Sequence, residues 1–443
     1  MKCVLKFFKW TGITLGVLLV LFVSINAFDE DLEPGAAAIL NSESKVPAAE
    51  NAYFYWAGMY TALSNNPSEI GEQCVKAQQR VSEFGAFNIE QKAVPECREL
   101  TVLEAAVNKS VDCEWRKQSC LNHYYDQRAA IEKLATQNQA IMARYERMLK
   151  FKQFDDVHYM HFYSVFPMAS QTKLYQAVSA THLQDGDSQG FIRRTEEESR
   201  FYRIVLSENI SLLSKMIGAA WIERSARLVS DAVQADPKLA QQHEVALLEI
   251  TRPLSMQERS LGKTMEGEFR FHASTIRVLD TEDTPFLERW LLKLTFKKNA
   301  SLNFAFRNIS VWRHLTQLPT EQYLTAEKEA LPKLTSPWRD GYISLVYNPA
   351  GKILSSISSG AYENYPRRMI DVDGLLRLVS LQIQIAAQNI PETEIPAFLN
   401  NTPPQLRDPY TGHAMQWNKT HGLHFRGHGK VISNQDDVVS VSI

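Results

Sequence analysis

The feature that most constrains this chain is an uncharged run from Trp10 to Phe28, preceded by Lys2, Lys6 and Lys9 and followed at once by Asp29, Glu30, Asp31 and Glu33. A helix rises about 1.5 Å per residue, so the run matches the hydrocarbon thickness of a bilayer. Its centre, Leu15 to Val23, is rich in Leu, Val and Phe. The predicted helix crosses a membrane once. Lysines in a short flank stay on the cytoplasmic side, so everything beyond Asp29 is expected outside. The competing reading is a cleaved signal peptide, whose apolar region is about 7–15 residues long and ends in a small-x-small site. Ser24-Ile25-Asn26-Ala27-Phe28 is a poor version of that site, and the residues favour an uncleaved anchor. No second run reaches the required length: Ile204 to Leu213 is broken by Ser207, Glu208 and Asn209.

The anchor divides the five cysteines into Cys3, at the cytoplasmic edge, and Cys74, Cys97, Cys113 and Cys120 beyond the membrane. An oxidising compartment lets these four pair. Three connectivities are possible, and joining neighbours, Cys74 with Cys97 and Cys113 with Cys120, needs the least loop closure. A helix between Cys113 and Cys120 would hold their α-carbons about 10 Å apart, beyond the roughly 4.4–6.8 Å of a disulfide, so that stretch is predicted to be a loop. A zinc site would be the alternative, but no C-x-x-C occurs.

Of 443 residues, 44% are hydrophobic and 22% charged, with a formal net charge of −2. That balance suits a globular chain with a buried core and leaves no electrostatic footprint for nucleic acid. The run Arg193 to Arg203 alternates sign through Glu196, Glu197 and Glu198 and reads as a solvated helix face. Residues 29–50, acidic and then rich in Ala, Ser and Pro, read as an extended tether. Structure is expected from Asn51, where Tyr53, Tyr55, Trp56, Met59 and Tyr60 recur at helical spacing as core residues. Asn66-Pro67-Ser68-Glu69 predicts a capped turn into a helix reaching about Val81. A single helix is predicted from Tyr125 to Phe151, with Ile131, Leu134, Ile141, Tyr145 and Met148 on one stripe. Further helices follow near 170–185, 189–215, 216–234, 237–250 and 255–279, joined by short links that favour antiparallel packing.

From Asp280 the texture changes, with Pro285, Pro319, Pro332, Pro337, Pro349 and Pro366 interrupting the chain. One helix, Gly374 to Gln388, stands out, with Asp373 as its expected N-cap. Asp371-x-Asp373-Gly374 also opens like a calcium loop, but the later ligands are missing. Met415-Gln416-Trp417 and Leu423-His424-Phe425 alternate as the strands of a hairpin. The expected fold is therefore mainly α: an N-terminal transmembrane helix (1–28), a linker (29–50), an antiparallel helical body (51–280), and an irregular α+β region (281–443) with a small C-terminal β-hairpin.

The C-terminal third carries a resemblance. A hydrophobic helix, then Ile390-Pro391, Ile395-Pro396-Ala397-Phe398-Leu399, Leu406-Arg407-Asp408-Pro409-Tyr410-Thr411-Gly412 and Met415-Gln416-Trp417, resembles the terminal module of uncharacterised single-pass envelope proteins of Gram-negative bacteria. Asn348 to Leu354 and Ser214 to Ile217 are also similar to stretches of those proteins. A comparable D-P-[FY]-[ST]-G turn occurs in pseudopilin-like sequences. Here Ala414 stands where that turn usually has proline, and no prepilin processing site precedes the anchor, so pilus assembly is not carried over. The resemblance implies an inner-membrane anchor with the body in the periplasm, and brings no established activity with it. Physically, Asp408, Pro409 and Gly412 read as a structural turn.

Histidine supplies the candidate chemistry. His421, His424 and His428 lie between glycines and are candidate metal ligands, with His413 a little upstream. On a strand His424 and His428 would share a face and His421 would point away, so triple ligation needs a bend at Gly422 or Gly427. His158-x-x-His161 sits among aromatics and reads as packed. Gly427-x-Gly429 lacks the strand-to-helix context of a phosphate loop, and no hydrolase or nucleotide motif occurs, so no catalytic residue and no cofactor are assigned. The expected function is a non-catalytic, membrane-anchored binding or scaffold role with a protein or peptide partner. The alternative is a metal-dependent hydrolase using the C-terminal histidines.

The cysteine argument has a direct test. In unreduced protein, alkylation should modify Cys3 alone, and Cys113→Ser should expose the one new thiol of Cys120, as read by mass spectrometry. Alkylation of Cys74, Cys97, Cys113 and Cys120 in the native chain would refute both the pairing and the export.

Overall fold

A computed structural model describes residues 2–44, 46–82, 94–101, 103, 109–156, 165–278, 285–337, 341, 344, 346–429 and 437–443. The fold is mainly α. The helices are α1 (Lys2–Ile25), α2 (Pro34–Leu40), α3 (Ala52–Ala57), α4 (Pro67–Ser82), α5 (Cys120–Asp126), α6 (Arg128–Gln137), α7 (Gln139–Met148), α8 (Val165–Gln184), α9 (Ser188–Glu208), α10 (Leu212–Ala235), α11 (Pro237–Ile250), α12 (Met256–Arg259), α13 (Gly262–Val278), α14 (Phe286–Thr295), α15 (Lys298–Leu315), α16 (Thr320–Leu334), α17 (Pro349–Gly360), α18 (Asn364–Ala387) and α19 (Ile395–Asn400). Strands β1 (Gln416–Asn418), β2 (Gly422–Arg426) and β3 (Val438–Val441) form an antiparallel sheet in that order. The expected hairpin pairs Trp417 with Leu423, and β3 adds a third strand that pairs Phe425 with Val439.

Contacts divide the chain into two units, and the division falls inside α13 and α16. Unit 1 comprises Met1–Ser42, Phe269–Leu315 and Thr325–Glu363, whereas unit 2 comprises Glu43–Glu268, Thr316–Leu324 and Asn364–Ile443. The expected boundary near residue 280 follows the change in proline content, but the chain returns to the larger unit at Asn364.

In unit 1, α1 is long and apolar enough to cross a membrane, and it is the one such helix among the described residues. The segment after it is not an extended tether. Pro34 pre-sets the first turn of α2, a run of small residues continues it, and Ala36 and Ile39 are buried. This stretch packs on α15: the N–H of Glu33 donates to Asn303 Oδ1 at 2.8 Å, and Asn303 Nδ2 returns a bond to the Asp31 carbonyl at 2.8 Å. Asp29 accepts from the N–H groups of Asn299 and Ala300, capping α15 from outside the helix.

Unit 2 contains the aromatic α3, every residue of which is buried, packed against Phe151 and Phe154. Asn51 caps it, and Asn66 accepts from the N–H of Ser68 at the start of α4, as the sequence predicts. Cys74 pairs with Cys97 inside a small cluster with Ala77, Val94 and Leu100. Cys113 pairs with Cys120 across a loop, with α-carbons 5.7 Å apart, and Cys120 opens α5. The stripe Ile131, Leu134, Ile141, Tyr145 and Met148 is buried, but two helices, α6 and α7, carry it, and the expected single helix also gives way to α5 at its start. Breaks fall at Gln127 and at Asn138, whose side chain bonds the Leu134 carbonyl in competition with the helix ladder.

The helices α8 to α11 follow the predicted segments, with one break moved to 209–211. Asp187, Ser211, Asp236 and Ser255 cap α9, α10, α11 and α12. The described residues from 285 onward are largely helical instead of irregular, because the prolines there start helices as often as they interrupt them. Pro285 precedes α14, Pro349 opens α17 and Pro366 lies in the first turn of α18, where a missing N–H costs nothing. The helix predicted at Gly374 is the second half of α18, so Asp373 is an interior residue and not a cap. Buried on nearly every side, α18 packs against α10, α11, β2 and β3. A Cβ on Gly374 would sit 2.3 Å from the Phe425 ring, so only glycine lets the sheet approach.

One buried cation joins distant parts of unit 2. Arg144 of α7 donates to the carbonyls of Met59, Thr61, Ala62 and Asn65 at 2.6–3.3 Å, fixing the turn between α3 and α4. Arg144→Met should lower the unfolding free energy by about 3 kcal/mol, because several carbonyls lose their donors together. A denaturant curve shifted by less than about 1 kcal/mol would mean that water replaces the guanidinium.

Candidate functional site

The C-terminal turn forms as its residues dictate. Asp408 Oδ1 accepts from the N–H of Tyr410 at 2.8 Å, the N–H of Gly412 donates to the Asp408 carbonyl at 2.9 Å, and Gly412 has a φ of 70° that favours glycine. The turn presents Tyr410, whose hydroxyl donates to Asp371 Oδ1 at 2.6 Å on α18. Asp371 also accepts from the N–H groups of His428 (3.1 Å) and Gly429 (2.7 Å). A Cβ on Gly429 would lie 2.7 Å from the Arg368 nitrogen, so the Gly427-His428-Gly429 loop can reach the helix only without side chains at its glycines. The acidic pair of the suspected calcium loop is thus divided between two tasks. Asp371 holds this loop, while Asp373 accepts from the N–H of Leu254 (2.7 Å) and from Arg377 (2.6 Å).

The structure does not gather the three histidine rings. His421 and His424 have ring centroids 5.5 Å apart, while His428 meets the Tyr410 ring edge-on, with centroids 4.6 Å apart. Both ring nitrogens of His424 are engaged, Nδ1 with the Gly422 carbonyl at 3.0 Å and Nε2 with Asn418 Nδ2 at 3.4 Å. Among the described residues no group of three or more His, Cys, Asp or Glu could hold a metal. His158 and His161 lie outside the described residues.

The sequence reading missed the buried polar centre of unit 2. Glu198, placed in a solvated run by its neighbours, is buried, as is Arg203; Glu196 and Arg200 of the same helix are exposed. Glu198 accepts from Gln176 Nε2 (2.7 Å), Ser225 Oγ (2.9 Å) and the Tyr145 hydroxyl (3.1 Å), and burial pushes its carboxyl up to about 7. Only the spacing of Glu198 relative to Phe191, Thr195 and Tyr202 signalled this, since all four fall on one helical face. Enclosed in protein, the carboxyl can hold a proton but meets no solvent-borne reactant. Arg203 donates to Glu258 and to the carbonyls of Ile250 and Arg252, lining a cleft of about 300 Å³ with Arg200, Glu196 and Glu249. A larger cavity, about 420 Å³, lies in unit 1 among Val23, Asn26, Ile276, Trp290, Phe296 and Lys297. Comparison with protein families, with characterised proteins and with solved structures finds no match for this chain.

These buried groups set a pH signature. Burial raises Asp371 and Asp156 to about 6, as it raises Glu198. Their pKa is higher folded than unfolded, so between about pH 4 and 7 the native state holds more protons and stability falls as pH rises. Lys215, bonded to the Leu206 carbonyl and lowered by burial to about 7, acts oppositely: the unfolded chain holds the extra proton above about pH 7, and stability rises there. The thermal midpoint should therefore pass through a minimum near neutral pH. Asp371→Asn should flatten the acid limb by about 1.4 kcal/mol per pH unit between about 4 and 6. A midpoint climbing steadily from pH 5 to 7 would contradict these protonation states.

Proposed function

We propose that this chain is a single-pass protein of the bacterial inner membrane, with its body in the periplasm, and that it acts there as a binding or scaffold protein. The observation that carries the reading is the state of Asn26, which lies in the stretch where a leader would be cut. Asn26 is 1% exposed; its Nδ2 donates to the Val346 carbonyl at 2.7 Å, and its Oδ1 accepts from the N–H of Asn348 at 3.0 Å. A scissile segment needs an extended, accessible backbone, whereas this one is fastened into a folded unit. That supports an anchor kept in the mature protein. The two disulfides support an oxidising compartment beyond it. The lysine and acid asymmetry supports the same orientation, and the resemblance of the C-terminal module to Gram-negative envelope proteins supports the same address.

The binding role rests on how the buried charges are used. Glu198, Asp371, Arg144 and Arg203 are spent on internal partners, which makes a rigid body and leaves no poised nucleophile among them. The cleft walled by exposed Glu196 and Arg200 is the candidate contact for a partner peptide. Purified from native membranes, the chain should keep its residues through Phe28 and carry a stoichiometric protein partner. A product starting at Phe28, or chelator-sensitive hydrolysis by the purified chain, would overturn the reading, the second in favour of the metal-dependent hydrolase.

A further inference from the structure

Unit 1 contains a helix built inside out. In α17, Lys352, Ser355, Ser356 and Ser359 are buried, while Ile353, Leu354 and Ile357 are exposed, Ile357 to 71%. A surface helix in water does the reverse. The inward polar face is bonded within the unit: Asn308 Nδ2 donates to Ser359 Oγ at 2.7 Å, and Lys352 Nζ donates to the Ser344 carbonyl at 2.6 Å. Gly351 allows close approach to α15, since a Cβ there would lie 1.9 Å from Ser301 Oγ. Small residues inward and large apolar residues outward is how helices pack in lipid. The helix α14 makes the same point differently. None of its described residues is buried, although Trp290, Leu291, Leu292 and Leu294 are apolar. At ten residues it is too short to be stable alone in water, and its described side chains are at most half-buried.

Both helices start or end at the exit of α1. Buried Asn348, which precedes α17, donates its N–H to Asn26, accepts from the N–H of Lys297 just after α14 (2.8 Å) and donates Nδ2 to Ser301 Oγ (3.0 Å). With a rise of about 1.5 Å per residue, Ile357 lies within about 15 Å of that junction and Trp290 within about 10 Å. Outside α1 and among the described residues, ten large apolar side chains are exposed. Six of them, Phe28, Trp290, Leu291, Ile353, Leu354 and Ile357, belong to unit 1, although it is the smaller unit. The cavity at the junction is walled in part by Lys293, Lys297 and Lys298. Its acid, Asp29, is already occupied by the N–H groups of Asn299 and Ala300.

We propose that unit 1 rests in the face of the membrane that α1 crosses, with α14 and α17 lying in the headgroup layer, those six side chains in lipid, and Lys293, Lys297 and Lys298 against the phosphates of anionic phospholipid. The proposal rests on the reading of α1 as an anchor. A helix of twelve residues is about 18 Å long, too short to span, so α17 lies along the interface.

The test uses the full chain with Cys3→Ser, reconstituted into phosphatidylcholine vesicles with or without phosphatidylglycerol. A polarity-sensitive fluorophore is placed on one new cysteine in turn, by Leu18→Cys, Leu291→Cys, Ile357→Cys or Leu63→Cys, and quenched by lipids brominated in the acyl chain. Labels at 18, 291 and 357 should shift to the blue and be quenched, while the label at 63, on exposed Leu63 of unit 2, should not. Quenching at 18 with 291 and 357 behaving like 63 would overturn the proposal and give the apolar face to a protein partner or a second copy. No quenching at 18 would remove the anchor and this proposal together. Lys293→Gln with Lys298→Gln should reduce quenching at 291 only where phosphatidylglycerol is present, and an equal effect without it would refute the role given to the lysines.

Discussion

Unit 2 depends on a helix that is buried on almost every side and yet carries polar residues. Burial of an unpaired polar group costs about 1–3 kcal/mol, so each such residue of α18 has to find a partner, and together they reach several neighbouring elements. Asp371 holds Tyr410 and the loop after β2, Asp373 the link before α12, and Arg377 the carbonyl of Arg407. Ser380 reaches the Thr251 carbonyl, and Gln382 reaches those of Ser230 and Ser442. Apolar burial alone would let the surrounding elements slide along α18. These bonds set their register, because a displaced element would leave a carboxylate or guanidinium without a partner in a dry interior.

The same logic shows why some of this was readable in the sequence and some was not. The apolar residues from Leu375 to Ile385 announce a buried helix whatever surrounds it. Asp373, by contrast, fits two structures equally well from local sequence: a cap before an apolar run, or a buried acid inside a longer helix. The choice depends on Leu254, 119 residues away. Glu198 is disguised by Glu196 and Glu197, of which Glu196 is exposed and Glu197 half-buried, nearer the usual fate of glutamate. Prolines mark both the ends and the first turns of helices, which is why a proline-rich third reads as irregular and folds as helices. The cysteine pairs were legible because joining neighbours needs the least loop closure whatever the fold. The turn from Asp408 to Gly412 was legible because its bonds are local, but its purpose, aiming Tyr410 at Asp371, was not.

The two units answer the problem of burial in opposite ways. Unit 2 encloses charged groups by matching them internally, and its exposed apolar side chains, such as Leu63 and Val245, stand singly, as on any soluble surface. Unit 1 turns serine and lysine inward along α17 and leaves isoleucine and leucine outside. The sequence of α17 is amphipathic under either orientation, so its pattern gives the helix but not the side that faces the solvent. That sign is fixed by tertiary contacts, here the bonds of Asn308 and Ser344 to its polar face.

Asn348 ties the end of α1 to the rest of unit 1. It sits at a φ of 54°, a left-handed conformation unusual outside glycine, and it is fully buried. Such a backbone persists only where its surroundings over-determine it. Bonds to Asn26, Lys297 and Ser301 do so from α1's foot, the start of α15 and α15 itself. Cleavage after Ala27 would remove Asn26 together with α1, and with it one of the three bonds that keep Asn348 in its strained state. The start of α17 would loosen with it. The residues at the end of α1 thus contribute directly to the fold of unit 1, through the bonds of Asn26 to Val346 and Asn348.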